Sequence, residues 1–221
     1  MLATIRGTIA RRLLINYRCD PDLVQALLPG GYRPKLQKDF AVAGICLIRL
    51  EHMRPPGLPS VLGTASENAA HRFAVLDEAG NSSVFIPRRD TSSFANTLLA
   101  GLAFPIHQHK ANFKVQDDGR SVTFEMDGPA GLNLTGSEAL ALPSDSVFSS
   151  IEDASEFFQE GSVGRSADGV AVQLVTKEWR VKPFEVSELH SRFFDGFPQG
   201  SVEFDHGLVM RNVPHEWRVV S

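Results

Sequence analysis

A chain of 221 residues with 43% hydrophobic and 22% charged side chains is long enough to bury one substantial core, and β-rich domains commonly use this length as a single unit. Its formal net charge of −4 removes the broad attraction to phosphate on which nonspecific nucleic-acid binding depends, so nucleic acid is not an expected partner. No stretch approaches the roughly 20 apolar residues of a membrane helix, and MLATIRGTIARRLLINYR at the start holds no apolar run long enough for a signal peptide; the expectation is a soluble cytoplasmic protein with no membrane partner.

In chain order, the first predicted helix covers residues 20–30. Asp20 is placed to accept hydrogen bonds from the free amides, Pro21 is tolerated at the first helical position, Leu23 and Leu27 share a face, and Gly30 permits the stop. The runs AVAGICLIRL, HRFAVL and SSVFIP are too short for helices and rich in β-branched or aromatic residues, which predicts strands. A second helix is expected over residues 91–102, opening on DTSS and placing Phe94, Leu98 and Leu102 on one stripe. ANFKV and SVTFEM continue the strand pattern, and residues 151–159 read as a third helix, with Glu152 and Asp153 at its positive end and Gly161 after it. VAVQLVTKEWRV and SVEFDHGLVM complete the predicted strands, the former alternating Val170, Val172 and Leu174 against Ala171, Gln173 and Val175. The Pro/Gly-rich pieces at 53–60 and 127–133 are of loop length, no repeat interrupts the chain, and residues 1–221 are expected to form one domain. Cys19 and Cys46 suit two free thiols better than a disulfide framework. The pattern predicts an α+β fold, mostly antiparallel β, as a barrel or sandwich.

INYRCDPDLVQALLPGGYRPKL resembles the amino-terminal signature of acetoacetate decarboxylases: a strand ending in Tyr-Arg, an acidic turn, and a short helix closed by Leu-Pro. The resemblance continues in order through GTASENAAHRFAV, where the family carries an active-site glutamate, through FPIHQHKANF, where it carries its lysine motif, and into FDHGLVMRNVP. AVAGICLIRL, SENAAHR and IPRRDTSS are more closely similar to the uncharacterised YqjF-like branch of that superfamily, a domain of unknown function. The resemblance implies a cone-shaped antiparallel β-barrel with a few peripheral helices, a ligand pocket inside it, and a homo-oligomer.

Decarboxylases of this type attack a β-keto acid with a lysine whose amine is freed by desolvation or a neighbouring cation. The family's Pro-Lys-Lys is matched here by Pro105-Ile106-His107, and Ile106 forms no imine. Lys110 lies four positions on, more than about 10 Å along a strand, and its alternative reading is a solvated surface lysine. Glu67 matches the family glutamate and is the first candidate for acid–base work, with His107 the second, since imidazole titrates near neutral pH. Arg72 and Arg88 are the candidate ion-pair partners of Glu67, and with Arg11 they are the candidate ligand-binding cations; Arg12 competes with Arg11 for the family's arginine, and of Arg88 and Arg89 only one can face inward. His107 and His109 share a strand face and, with His71, His206 or Glu67, could complete a zinc-like site, but the third ligand is not fixed and no metal is assigned. His206, within Phe204-Asp205-His206, fits an architectural hydrogen-bond network. No nucleophile elbow, phosphate loop or dinucleotide fingerprint occurs, and no cofactor is expected.

These residues predict a small anionic or carbonyl ligand. Three readings compete: an enzyme acting on a small carbonyl or carboxylate compound through Glu67 and His107, a non-catalytic organic-acid binding protein, and a lyase using Lys110.

Overall fold

Alternation is missing from AVAGICLIRL because the strand that carries it is buried on both faces. The computed structural model describes residues 4–93, 107–166, 169–176 and 178–220. In it β4 (Phe40–Arg54) lies between β1 (Thr4–Cys19) and β5 (Thr64–Asp77), antiparallel to both. β5 pairs in turn with β6 (Ser82–Thr91), which runs parallel to β11 (Val163–Ser166). β11 pairs with β12 (Ala171–Thr176), β12 with the C-terminal part of β14 (Val202–Val220), and β14 returns to β1 along most of its length. The strands β1-β4-β5-β6-β11-β12-β14 therefore close into a ring. The N-terminal part of β14 also carries β13 (Lys182–Ser191), and β10 (Leu132–Glu138), β9 (Ser121–Met126) and β8 (Phe113–Asp117) follow outward as a four-stranded flap. Short strands β2 (Tyr32–Pro34), β3 (Leu36–Gln37) and β7 (His109–Lys110) dock on β5, β4 and β6.

β1, β4 and β5 thus form a wall with a core on each side. Leu13, Ile15, Ile45, Leu47, Phe73 and Val75 meet Phe124, Leu132, Leu134 and Phe184 of the flap. Leu14, Cys46, Ile48, Ala74, Leu208 and Met210 pack on the other side against Phe148, Phe157 and Phe158. A strand buried on both faces reads as a continuous apolar run, hence the lost alternation. The neighbouring strands β1 and β4 approach so closely that a Cβ on Gly44 would lie 2.6 Å from the Ile15 carbonyl oxygen. The mostly antiparallel β architecture with helices beside it agrees with the fold expected from sequence.

Two helices occur among the described residues. α1 (Pro21–Leu27) is capped by Asp20, whose carboxylate accepts from the amides of Asp22 and Leu23, as expected. The expected buried face is corrected: Leu27 is exposed, and the residue that α1 buries is Val24, with Leu28 packed one turn on. The expected stop is also earlier, because the chain turns extended at Leu28, and the left-handed position belongs to Gly31 (φ 87°) and not to Gly30. α2 (Ile151–Glu160) has Ser150 as its cap; Ser150 Oγ accepts from the Asp153 amide, and the Asp153 carboxylate accepts in return from the amide and hydroxyl of Ser149. Ala154, Phe157 and Phe158 are the i, i+3, i+4 positions it buries. Of the helix expected over 91–102, residues 94–102 lie outside the described residues; Thr91 itself ends β6. Cys19 and Cys46 are free and buried.

Candidate functional site

The cross-strand register lines up four charged side chains on the flap side of the wall. Arg211 on β14 stands opposite Arg11 on β1, Arg11 opposite Arg49 on β4, and Arg49 opposite Glu67 on β5. Arg11 reaches this face through a β-bulge: Ile9 pairs with Leu50 and Arg11 with Arg49, so Ala10 is an extra residue, and side chains two apart point to opposite cores. Three adjacent guanidiniums repel unless carboxylates intervene. Arg11 Nη2 lies 2.6 Å from Glu67 Oε2, and its Nη1 3.2 Å from Asp117 Oδ2 at the end of β8. Arg211 donates to the same Asp117 oxygen at 2.8 Å and to Glu138 at 3.2 Å, and Lys182 holds the other Glu138 oxygen at 2.7 Å. At the opposite end Arg49 Nη1 is 3.7 Å from Glu67 Oε1, while its Nε donates to Glu51. Charge alternates along the whole series.

Arg11 and Glu67 are its buried centre, 3% and 9% exposed, with Arg49 and Glu51 half exposed at one end. Burial raises the Glu67 carboxyl above its ordinary pKa, against the opposing pull of Arg11 and Arg49. Partial burial also pushes Asp117 up, but hydrogen bonds from Arg211, the Gly119 amide and Arg11 bring it below its ordinary value. The two carboxyls on either side of Arg11 are therefore shifted in opposite directions, a pattern common where protons are moved. Ser92 fixes the Glu67 backbone through two hydrogen bonds of 2.9 Å.

Four residues further along β5, His71 is fully buried, lies tilted against Phe193 at 4.2 Å between centroids, and has no hydrogen-bond partner among the described residues on either ring nitrogen. Burial, helped by Arg88, pushes it down to about 3. Arg88 is the inward member of the Arg88-Arg89 pair, opposite His71, and forks onto both Asp90 oxygens at 2.9 and 2.7 Å; Arg89 instead donates to Ser166. Glu67 is thus paired with Arg11 and Arg49, and not with Arg72 or Arg88 as the sequence suggested.

Arg72 points through the opposite face. Its Nη2 donates to Asn16 Oδ1 at 2.5 Å and its guanidinium lies over Phe158. Asn16 Nδ2 donates to the Leu14 carbonyl and to His206 Nε2 at 3.0 Å, which leaves His206 Nδ1 to donate to Asp205 Oδ2 at 2.5 Å. Burial alone would raise Asp205, but hydrogen bonds from His206, Ser146 and the Val147 amide hold it below its ordinary value. His206 is therefore tied into a buried network beneath α2, the architectural role expected for it. His107 is exposed, with its ring edge-on to His109 at 4.8 Å. β7 brings His109 beside Asp90 and leaves Lys110 exposed. Burial and Arg88 push His109 down. Pro105 and Ile106 lie outside the described residues. Among the described residues no three potential metal ligands cluster. No described helix is long and apolar enough to cross a membrane.

The sequence candidates Arg11, Glu67 and Arg88 are brought to one face; Arg72 and His206 are not. Arg49, Asp117, Glu138 and Arg211 were not singled out in the sequence. Only Arg49 carried a signal, as the lone cation in an apolar strand.

The family described as an uncharacterized conserved protein, DUF2071, matches residues 7–196. No curated protein matches the chain by sequence. Among solved structures, acetoacetate decarboxylase from Legionella pneumophila superposes with a TM-score of 0.62 at 15% identity, covering 98% of this chain and 87% of the other. An acetoacetate decarboxylase-like enzyme from Sphingomonas wittichii gives 0.56 at 14% identity, with 99% and 90% covered. The enduracididine biosynthesis enzyme MppR, complexed with pyruvate, gives 0.61 at 10% identity, with 99% and 88% covered. At these identities the likeness establishes a common fold.

Proposed function

The chain belongs to the DUF2071 family, and from that membership and the buried Arg11–Glu67 pair we propose that it is an enzyme acting on a small carbonyl or carboxylate compound of the keto-acid kind. The observation that carries this reading is a carboxyl group whose affinity for protons burial raises, held between two guanidiniums on the flap side of the wall. Arg49, at 3.7 Å from Glu67 and partly exposed, is the cation that an incoming carboxylate meets first. Neutralising that arginine with ligand charge weakens its hold on Glu67, whose proton affinity then rises further. Glu67 becomes the group that removes or returns a proton beside the ligand carbonyl. His71, with two unpartnered nitrogens on the same strand face, is available to hydrogen-bond the carbonyl oxygen. MppR, which shares the fold, was solved with a 2-keto acid. Position 106 is isoleucine, so the chemistry does not pass through an imine there.

A second reading has its own support. The 2.6 Å contact with Arg11 restrains Glu67, as suits a protein that binds an organic acid without turning it over. One experiment separates them: pyruvate is incubated with the protein in deuterated water, and binding and loss of the methyl protons are followed by NMR. The enzyme reading expects saturable binding and exchange that Glu67→Gln slows by about 10²–10⁴-fold. Binding without exchange selects the binding-protein reading, and neither binding nor exchange across a panel of short keto acids removes both. Borohydride trapping at Lys110 with substrate present would instead revive the lyase reading.

A further inference from the structure

On the side of the wall away from Glu67, a cavity of about 30 Å³ lies between β1, β5, β6 and the C-terminal half of α2. Arg12, Arg72, Lys35, Ser82 and Ser83 are its polar lining, with Phe157 and Phe158 as its roof. Arg72 is 4% exposed and its Nε has no partner among the described residues; Arg12 Nη1 and Ser82 Oγ are buried without partners among them as well. Arg12 otherwise donates to Cys46 Sγ at 3.1 Å and lies over Trp179. Lys35 is already matched by Glu160 at 2.6 Å. No carboxylate among the described residues bonds either arginine. The nearest along the hydrogen-bond chain is Asp205, reached from Arg72 only through Asn16 and His206.

A buried guanidinium without a counter-charge is costly, and each unpaired buried donor adds to the cost. Burial already drags Arg72 down to about 10. The unpartnered guanidinium nitrogens can only donate, and the Ser82 hydroxyl is free to do so. Water could accept from these donors but brings no charge, so it leaves the two guanidiniums uncompensated. An anion accepts from all of them and supplies the missing charge. The volume, room for roughly two waters, suits a small monovalent anion such as a halide. We propose that this cavity is a binding site for a chloride-sized monovalent anion, held by Arg12, Arg72 and Ser82, which fastens α2 to the closed ring of strands.

The test is a crystal of the unaltered protein soaked in sodium bromide, with diffraction recorded at the bromine edge. It is paired with thermal melting in sodium chloride against sodium gluconate at equal ionic strength. An anomalous peak within hydrogen-bond reach of Arg72 Nε, with a chloride-specific rise in Tm, is the expected result. The rise should be roughly 3–6 °C at a chloride concentration about tenfold above its dissociation constant. Ser82→Ala should weaken that rise while leaving the protein folded. Ordered water in the cavity without anomalous signal, and melting indifferent to the choice of anion, would overturn the proposal. Neither measurement depends on Glu67 or on turnover, so the outcome is independent of the reading of the flap-side site.

Discussion

His71 and Glu67 share one face of β5, four residues apart, and burial disfavours the charge of both with opposite consequences for protonation: it keeps the imidazole deprotonated and the carboxyl protonated to higher pH. For His71 the sign of the stability effect follows directly. The unfolded chain takes up its proton below about pH 6.5, whereas the folded chain resists until about pH 3. The unfolded state therefore binds more protons in that window, and stability falls as pH drops through it. His215, pushed down to about 4 mainly by burial, acts in the same direction. Urea unfolding of His71→Phe at a series of pH values should show a shallower loss between pH 6.5 and 3, by on the order of several kcal/mol at the acid end. An unchanged slope would mean that His71 gains a proton partner in solution. At this scale the site was half legible. Glu67 and Arg11 stood out by their place in an ordered resemblance. Asp117, Glu138 and Arg211 became partners only through the fold, which joins Arg11 to Asp117 106 positions away and leaves no local trace.

Among the elements, the starts of the helices were the most legible, because local chemistry fixes them, whereas the stop of α1 was not. α1 and α2 declare themselves through Asp20 and Ser150, side chains that satisfy amides two or three residues on. Asp20→Ala should cost about 1 kcal/mol in denaturant melts, the usual worth of such a cap. Gly44→Ala should cost more, about 2–4 kcal/mol, because the new methyl group meets the backbone of β1, which cannot rotate out of the way. β10 and β13 were passed over. Their residues are interspersed with Gly136, Glu138, Glu185 and Glu188, since one side of the flap faces solvent and their apolar sets are correspondingly sparse. The long run VAVQLVTKEWRV was read as one strand, but β12 ends at Thr176, and Trp179 and Val181 pack instead beside α2's core.

For the molecule as a whole, the wall shared by two cores sets the distribution of stability. β1 and β4 are each hydrogen-bonded on both edges over most of their length and covered on both faces, whereas β8 is the flap's outermost strand. Amide hydrogen exchange followed by mass spectrometry should find the slowest exchange in residues 11–18 and 42–50, and markedly faster exchange in 113–117. Equal protection in the flap and the wall would contradict this hierarchy. The fold class was visible in the sequence because composition and turn spacing report on strands one at a time. That β14 would serve both the ring and the flap was not, since nothing local marks a strand for two sets of neighbours.

Covering both faces of β1 removes the usual safeguard against mispairing. Where one face meets water, a slip of one residue throws every apolar side chain into solvent. Here the two sets, Leu13 and Ile15 against Leu14, exchange one dry environment for another, and burial alone scarcely distinguishes the frames. The discrimination falls to the polar residues: shifted by one place, Arg11 loses Glu67, and Asn16 abandons both Arg72 and His206. These side chains act as alignment pins during folding. Asn16→Leu should accordingly add a slow refolding phase in stopped-flow fluorescence as misaligned chains reset, and the charges that serve the interior site are also what holds the strand in frame.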